Sequence, residues 1–164
     1  MIEGILRAKV SAYLSKPYAC ENRQMACVLF VLEVMEPFSP ELRECLGRLR
    51  CMEITGSKKA LIRQDYFLKF IRGTKLQLTT DDRQPTTGLL TGDILLINEY
   101  SIERKIDHLG LYLGQGEYVH LHRDRNIGDY PQMRRVDDDR HKILGIVRAD
   151  DLSVVSQGVE YGKS

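Results

Sequence analysis

The chain has no excess of charge of either sign. Its 164 residues include 24 lysines and arginines and 23 aspartates and glutamates, for a formal net charge of +1. A protein that attracts nucleic acid or anionic lipid through its overall electrostatic field needs a much larger imbalance. We therefore expect no nucleic-acid partner.

The chain also lacks a long apolar run. The longest one, residues 25–32, is far shorter than the roughly 20 residues that a membrane-spanning helix needs. Residues 1–14 carry Glu3, Arg7 and Lys9 among their apolar positions, unlike the apolar region of a secretory signal. We therefore expect synthesis in the cytoplasm without a signal peptide, and no membrane insertion.

Cysteine is scarce, and its spacing excludes the common zinc sites. The four cysteines are Cys20, Cys27, Cys45 and Cys51. No CxxC pair occurs, and all four histidines lie beyond residue 107, so the pattern does not match zinc-site spacing. Without a secretory signal, disulfides are disfavoured. We expect reduced thiols, of which most are buried and inert.

The composition that remains is that of an ordinary globular protein, with 43% hydrophobic and 29% charged residues. The length fits one domain, since domains usually contain roughly 100–200 residues. We place this domain at residues 1–150 and expect residues 151–164 to form a loosely held tail.

Apolar residues recur at helical spacing in the N-terminal half. The pattern predicts four helices, over residues 2–14, 24–36, 39–49 and 58–72. The second is apolar on nearly every face, which is typical of a helix at the centre of a domain. Cys27 then lies in the first turn of this buried helix.

The C-terminal half has the pattern of strands instead. We predict strands at 93–98, 109–113, 117–122 and 143–148, and a polar loop at 79–87. Residues 114–116, Gly-Gln-Gly, separate the second and third strands and predict an antiparallel hairpin. Helices followed by strands indicate the α+β class.

Two residue types in this arrangement suggest thiol chemistry. A helix N-terminus stabilises a thiolate at Cys27, and its backbone N–H groups can also stabilise an oxyanion. Strand alternation places His108, His120 and His122 on one face of the hairpin, with His108 opposite His122 and diagonal to His120. We predict His108 as the general base and His120 as the residue that orients it.

Two other interpretations of the histidines remain open at this point. Strand histidines are often solvated residues without a function. Three imidazoles on one face can also bind zinc, although no nearby carboxylate supports such a site.

Several segments resemble NlpC-type cell-wall peptidases. Residues 88–97, Gly-Leu-Leu-Thr-Gly-Asp-Ile-Leu-Leu-Ile, and 107–120, Asp-His-Leu-Gly-Leu-Tyr-Leu-Gly-Gln-Gly-Glu-Tyr-Val-His, are similar to that family's Pro-Gly-Asp strand and its His-Val-Gly-Ile-Tyr-Leu-Gly hairpin ending in Ile-His. Residues 16–18, Lys-Pro-Tyr, and Cys27 with the Phe-Val that follows resemble its Pro-Tyr…Asp-Cys-Ser-Gly-Phe-Val segment. Residues 143–148 resemble the closing strand of its phage-tail branch.

The resemblance implies a papain-like fold, with a central Cys-bearing helix packed on a C-terminal antiparallel sheet. It implies Cys27 as the nucleophile, His108 as the general base and His120 as the residue that orients the base. It also implies Tyr18 as a residue of the substrate site, and we predict His122 as a second one. The implied activity is an endopeptidase or amidase that cleaves peptidoglycan stem peptides without metal or organic cofactor. The implied location is a phage or phage-like tail that acts in the cell wall or periplasm, with tail-tip proteins as partners.

The chain departs from that family's pattern beside the nucleophile. Ala26 replaces an aspartate, and Val28 and Leu29 replace Ser-Gly. We expect the bulky side chains of Val28 and Leu29 to narrow the substrate groove beside Cys27. These changes favour a second hypothesis, a catalytically decayed domain that serves as a structural tail-tip or assembly component. A third is an acyltransferase of related fold. Cys20 is the alternative reactive thiol. Because the interval from Cys27 to His108 is long, residues 39–87 could form a helical cap.

Overall fold

The computed structural model describes residues 2–14, 16–19, 26–54, 63–74, 76–80, 86–124 and 126–149. Its helices are α1 (Ile2–Ser11), α2 (Ala26–Met35), α3 (Pro40–Ile54), α4 (Arg63–Arg72) and the short α5 (Val136–Asp139). Its strands are β1 (Gln77–Thr79), β2 (Ile94–Ile97), β3 (His108–Gly114), β4 (Glu117–His122), β5 (Tyr130–Arg135) and β6 (Ile143–Arg148).

The six strands form one antiparallel sheet in the order β1-β6-β2-β3-β4-β5. The protein therefore belongs to the α+β class, as the sequence predicted. The central strand β2 is buried along its whole length, whereas β1 and β5 lie at the two edges.

Helix α2 lies in the main core. Eight of its ten residues are buried, as expected for a helix that is apolar on nearly every face. It packs against the side chains of Leu109, Leu111 and Leu113 on β3 and of Val119 and Leu121 on β4, which belong to the same apolar cluster. The odd-numbered face of the hairpin thus carries α2.

A second apolar cluster covers the other face of the sheet. Its members include Leu95, Ile97, Tyr118, Val136 and Ile143. Since side chains alternate along a strand, the even-numbered residues of β3 and β4 belong to this face. The body of α2 and the histidines therefore lie on opposite faces of the sheet. A contact between them is possible only at the ends of these elements, where Cys27 lies near the start of α2 and His108 begins β3.

Helix α3 begins where the sequence predicted, with Pro40 as its first residue. The hydroxyl of Ser39 accepts a hydrogen bond from the backbone N–H of Leu42 at 3.3 Å, which caps the helix. Buried residues of α3 and α4 belong to the main core, and β1 pairs with β6 in the sheet.

The edge strands β1 and β5 and the short helix α5 are the main differences from the predicted elements. Residues 77–79 form β1, although 77 and 78 were given no element and 79 was predicted to begin the loop 79–87, and β5 was not predicted at all. Strand β5 contains Pro131, which opposes a strand assignment but is tolerated at a sheet edge. The predicted structure at 24–25, 58–62, 81–85 and 151–164 lies outside the described residues.

Candidate active site

A pair of buried histidines is the centre of the site. Nε2 of His108 lies 2.9 Å from Nδ1 of His120, and the two residues are 2% and 0% exposed. The pairing of Gly110 with His120 across the hairpin places the two imidazoles diagonally on one face. The predicted grouping of these histidines is confirmed.

The turn that brings them together differs by one residue from the prediction. Gly114, not Leu113, is paired with Glu117, and the register shifts between Tyr112 and Gly114. The turn contains two residues, Gln115 and Gly116, at φ values of 54° and 74°. Two consecutive positive φ angles are typical of a tight hairpin turn. The irregularity absorbs the extra residue, so the histidine register is unaffected.

Gly110 makes room on this face for the ring of a tyrosine. A Cβ at this position would lie 2.8 Å from Cδ2 of Tyr118 and 3.0 Å from Cδ1 of Ile97. The glycine therefore lets the Tyr118 ring cross the strand. The Tyr118 hydroxyl donates a 2.7 Å hydrogen bond to Asp139, and its ring lies 6.0 Å from that of His120.

His122 continues the row of imidazoles. Its ring centroid lies 6.1 Å from that of His120 and 5.2 Å from that of Tyr130. The described part of the chain contains no group of three or more His, Cys, Asp or Glu side chains that could hold a metal ion. The hydrogen bond between His108 and His120 occupies the two nitrogens that face each other.

Gln132 extends the pair on its other side. It lies opposite His120 in the β4–β5 register, and its side-chain oxygen Oε1 is 3.0 Å from Nε2 of His120. Gln132 was not among the predicted site residues, because β5 was not predicted. Its spacing of two residues from Tyr130 and from Arg134, which is typical of one face of a strand, is the sequence signal that could have indicated it.

Burial keeps both imidazoles neutral at pH 7. Burial is the largest cause that lowers the pKa of His108 well below 6.5, followed by the electrostatic effect of the neighbouring His120 imidazole. Burial also lowers the pKa of His120 to about 4, although the hydrogen bond to Gln132 opposes this shift. A neutral imidazole is the form that can accept a proton.

Cys27 is the second residue of α2 and is half-buried against the main core. Tyr100 contacts His108 and is close enough to Cys27 for an electrostatic effect. The ring of Tyr100 meets that of His108 edge-on, with centroids 5.4 Å apart. Burial raises the pKa of the Tyr100 phenol to about 12, and the nearby charges of Glu99 and Cys27 also raise it. A direct contact between the Cys27 sulfur and the His108 imidazole stays a prediction.

The loop that carries Tyr100 is held by the residue that precedes His108. The carboxylate of Asp107 accepts hydrogen bonds from the backbone N–H groups of Glu99, Tyr100 and Ser101, at 2.7, 3.1 and 2.6 Å. The side-chain amide of Asn98 lies within hydrogen-bond distance of three further carbonyls of the loop. Tyr100 was not a candidate in the sequence analysis, because nothing in the local pattern marks it.

Tyr18 packs against α2. Its backbone N–H donates a 2.8 Å hydrogen bond to the carbonyl of Asp129, and its ring packs edge-on against Phe30, with centroids 5.6 Å apart. Arg123 lies 5.2 Å from the centroid of the Tyr100 ring. Tyr18 and Tyr100 thus lie near the two β4–β5 loop residues Asp129 and Arg123.

The residues beside Cys27 do not narrow a groove, contrary to the expectation from the sequence. Ala26, Val28 and Leu29 are 1%, 0% and 4% exposed and belong to the main apolar cluster. Their side chains point into the core because α2 is packed on nearly every side. The departures from the Asp-Cys-Ser-Gly pattern are therefore accommodated by core packing.

The chain matches no protein-family model and no curated protein. No helix in the described segments combines the length and the apolarity that crossing a membrane requires. The likeness to NlpC-type peptidases therefore rests on the sequence motifs.

Proposed function

We propose that the protein is a thiol hydrolase of papain-like, NlpC-type fold. It cleaves peptidoglycan stem peptides as an endopeptidase or amidase, with Cys27 as nucleophile, His108 as general base and His120 as the residue that orients it. The observation that carries this proposal is the buried hydrogen bond of 2.9 Å between His108 and His120.

The reaction proceeds in two steps. In the first, His108 takes the proton of the Cys27 thiol as the sulfur attacks the carbonyl carbon of the peptide, and the proton then passes to the leaving amine. In the second, water attacks the thioester with His108 again as base, which releases the acid and regenerates the thiol. The neutral state of His108 suits the role of base in both steps.

The surroundings of Cys27 support this chemistry. Cys27 is the second described residue of α2, and side chains in the first turn of a helix lie near N–H groups without an intrahelical partner and near the positive end of the helix dipole. These features stabilise a thiolate and the oxyanion of the tetrahedral intermediate. The burial of Val28 and Leu29 in the core removes the steric argument for a decayed site.

A phage-like tail is the proposed setting, with tail-tip proteins as partners. This part of the proposal rests on the resemblance of residues 143–148 on β6 to the phage-tail branch of the family. A hydrolase delivered in this way reaches the cell wall as part of a particle.

Digestion of purified sacculi tests the activity. The protein is incubated with sacculi, and the soluble fragments are analysed by mass spectrometry to identify the bond that is cut. We expect release of peptide fragments, a loss of at least about a thousand-fold in Cys27→Ala and His108→Ala, and full activity in the matched control Cys51→Ser. If the folded wild-type protein releases nothing from sacculi of several peptide chemistries, the hydrolase is excluded and the structural tail-component hypothesis takes its place.

A further inference from the structure

We propose that Gln132 is a positioning residue that fixes the tautomers of both histidines, so that Nδ1 of His108 is the atom that accepts the proton. This inference rests on the proposed function for its catalytic meaning. The tautomers themselves can be measured without any activity.

The side chain of Gln132 fixes the position of the first proton. Its carbonyl oxygen Oε1 lies 3.0 Å from Nε2 of His120, and an amide oxygen can only accept a hydrogen bond. Nε2 of His120 must therefore carry a proton and donate it. A neutral imidazole has one N–H, so Nδ1 of His120 is an unprotonated acceptor.

The direction of the second hydrogen bond follows from the first. Nδ1 of His120 lies 2.9 Å from Nε2 of His108. Because the His120 nitrogen accepts, the His108 nitrogen donates and carries the single proton of that ring. Nδ1 of His108 is then left with a lone pair, which is what a general base needs.

The environment of the two rings keeps the hydrogen bonds between Gln132, His120 and His108 in this direction. Both histidines are buried, and their low pKa values keep each ring at one proton at neutral pH. Gln132 is the partly exposed end of this row of hydrogen-bonded side chains. It lies on the edge strand β5, which pairs with β4. A single side-chain acceptor at the sheet edge therefore sets the protonation of an atom two rings away.

The reversed arrangement would have the opposite consequence. If the Gln132 amide presented its N–H₂ group to His120, both hydrogen bonds would run the other way. Nδ1 of His108 would then carry a proton and could not act as base. The orientation of this one amide therefore decides whether the pair can work as proposed.

Nitrogen NMR of histidine-labelled protein at pH 8 tests the inference directly. We expect both His108 and His120 to be single Nε2–H tautomers in the wild type and in Gln132→Glu, whose carboxylate also only accepts. In Gln132→Leu we expect the signals of both rings to shift toward mixed or Nδ1–H tautomers. The matched control is Met133→Leu on the opposite face of β5. An Nδ1–H tautomer at His108 in the wild type, or unchanged tautomers in folded Gln132→Leu, would overturn the proposal.

Kinetics on sacculi supply the second readout. A tautomer error in a catalytic triad lowers kcat strongly, so we expect Gln132→Leu to lose about 10-fold to 1000-fold in kcat with little change in KM. Gln132→Glu should recover most of this loss and move the acid limb of the pH profile upward, because a carboxylate favours imidazolium. Correct tautomers in a protein that releases no fragments would refute the proposed function and leave the positioning role of Gln132 intact. Equal kcat in Gln132→Leu and wild type would refute that role alone.

Discussion

Nε2 of His108 and Nδ1 of His120 are 2.9 Å apart, and neither ring has appreciable contact with solvent. Two buried imidazoles that share one hydrogen bond tolerate one proton each. An added proton would place a charge in an environment that already lowers both pKa values. The pair is therefore neutral at pH 7, and a proton taken up by His108 needs a nearby negative charge, such as a thiolate, to stabilise the imidazolium.

The stability of the fold should decrease in mild acid. The pKa of His120 is lowered from 6.5 to about 4, so between these values the unfolded chain binds a proton that the folded chain does not. By linkage, the free energy of unfolding falls as the pH falls from 6.5 to 4, by about 3 kcal/mol for a shift of this size. Urea unfolding across this range should show the decrease.

The control for this pH dependence is His120→Gln, measured against His141→Gln. We expect a flatter curve for the first, because one of the two titrating buried groups is gone. His141 is exposed, so its replacement should leave the slope unchanged. Equal slopes in all three proteins would contradict the pKa direction.

Replacing Gly110 by alanine should destabilise the protein. The new Cβ would lie 2.8 Å from the ring of Tyr118, which is held by the hydrogen bond to Asp139. Overpacking of this kind costs about 1–3 kcal/mol, and thermal unfolding should show a lower Tm. Gly47→Ala on α3 is the matched control, since nothing lies within 4 Å of its added Cβ. A Tm for Gly110→Ala equal to that of the wild type would show that Tyr118 is not held in place.

Asp107→Ala should loosen the loop that presents Tyr100. Three backbone N–H groups lose a charged acceptor, and a hydrogen bond to a charged group stabilises by about 1.5–3 kcal/mol. Hydrogen exchange at residues 99–101 should accelerate by at least about tenfold. Asp138→Ala in the exposed part of α5 should leave these amides unchanged. Unaltered protection in Asp107→Ala would mean that other contacts hold the loop.

Alkylation at neutral pH should distinguish the thiols. We expect rapid modification of Cys27, slower modification of the exposed Cys51, and none at Cys45 in the folded state. Cys45 is fully buried, and burial raises the pKa of its thiol to about 12, so its thiolate population is negligible. Mass spectrometry of digests after increasing times gives the three rates.

The His108→Ala variant tests whether the reactivity of Cys27 depends on the imidazole. We expect its rate to fall to that of Cys51, because the proton acceptor is lost. Cys20 lies outside the described residues, so the experiment is repeated in a Cys20→Ser background. An alkylation rate of Cys27 that is unchanged by His108→Ala would show that the reactivity of the thiol does not depend on His108.

The sequence predicted elements whose pattern is local. Helix α2 could be placed within a few residues because its apolar character on every side allows only a buried helix. The hairpin of β3 and β4 could be placed because strand alternation and a glycine turn fix the register over a few residues. The histidine face followed from that register.

The remaining parts of the site could not be predicted, because they depend on residues far apart in the chain. Strand β5 contains a proline and two arginines, and only its pairing with β4 makes it a strand. Tyr100 and Gln132 have no local signature, since the first is positioned by Asp107 and the second by its place opposite His120.

The sequence by itself therefore determined the α+β class, the buried helix that begins near Cys27 and the common face of the histidines, because periodicity records which side of an element is buried. The tertiary structure alone decided that Val28 and Leu29 turn into the core, that Tyr100 lies against His108 and that Gln132 accepts from His120. Each of these contacts is made across elements, where the packing of the whole chain selects one partner among many that the sequence would allow.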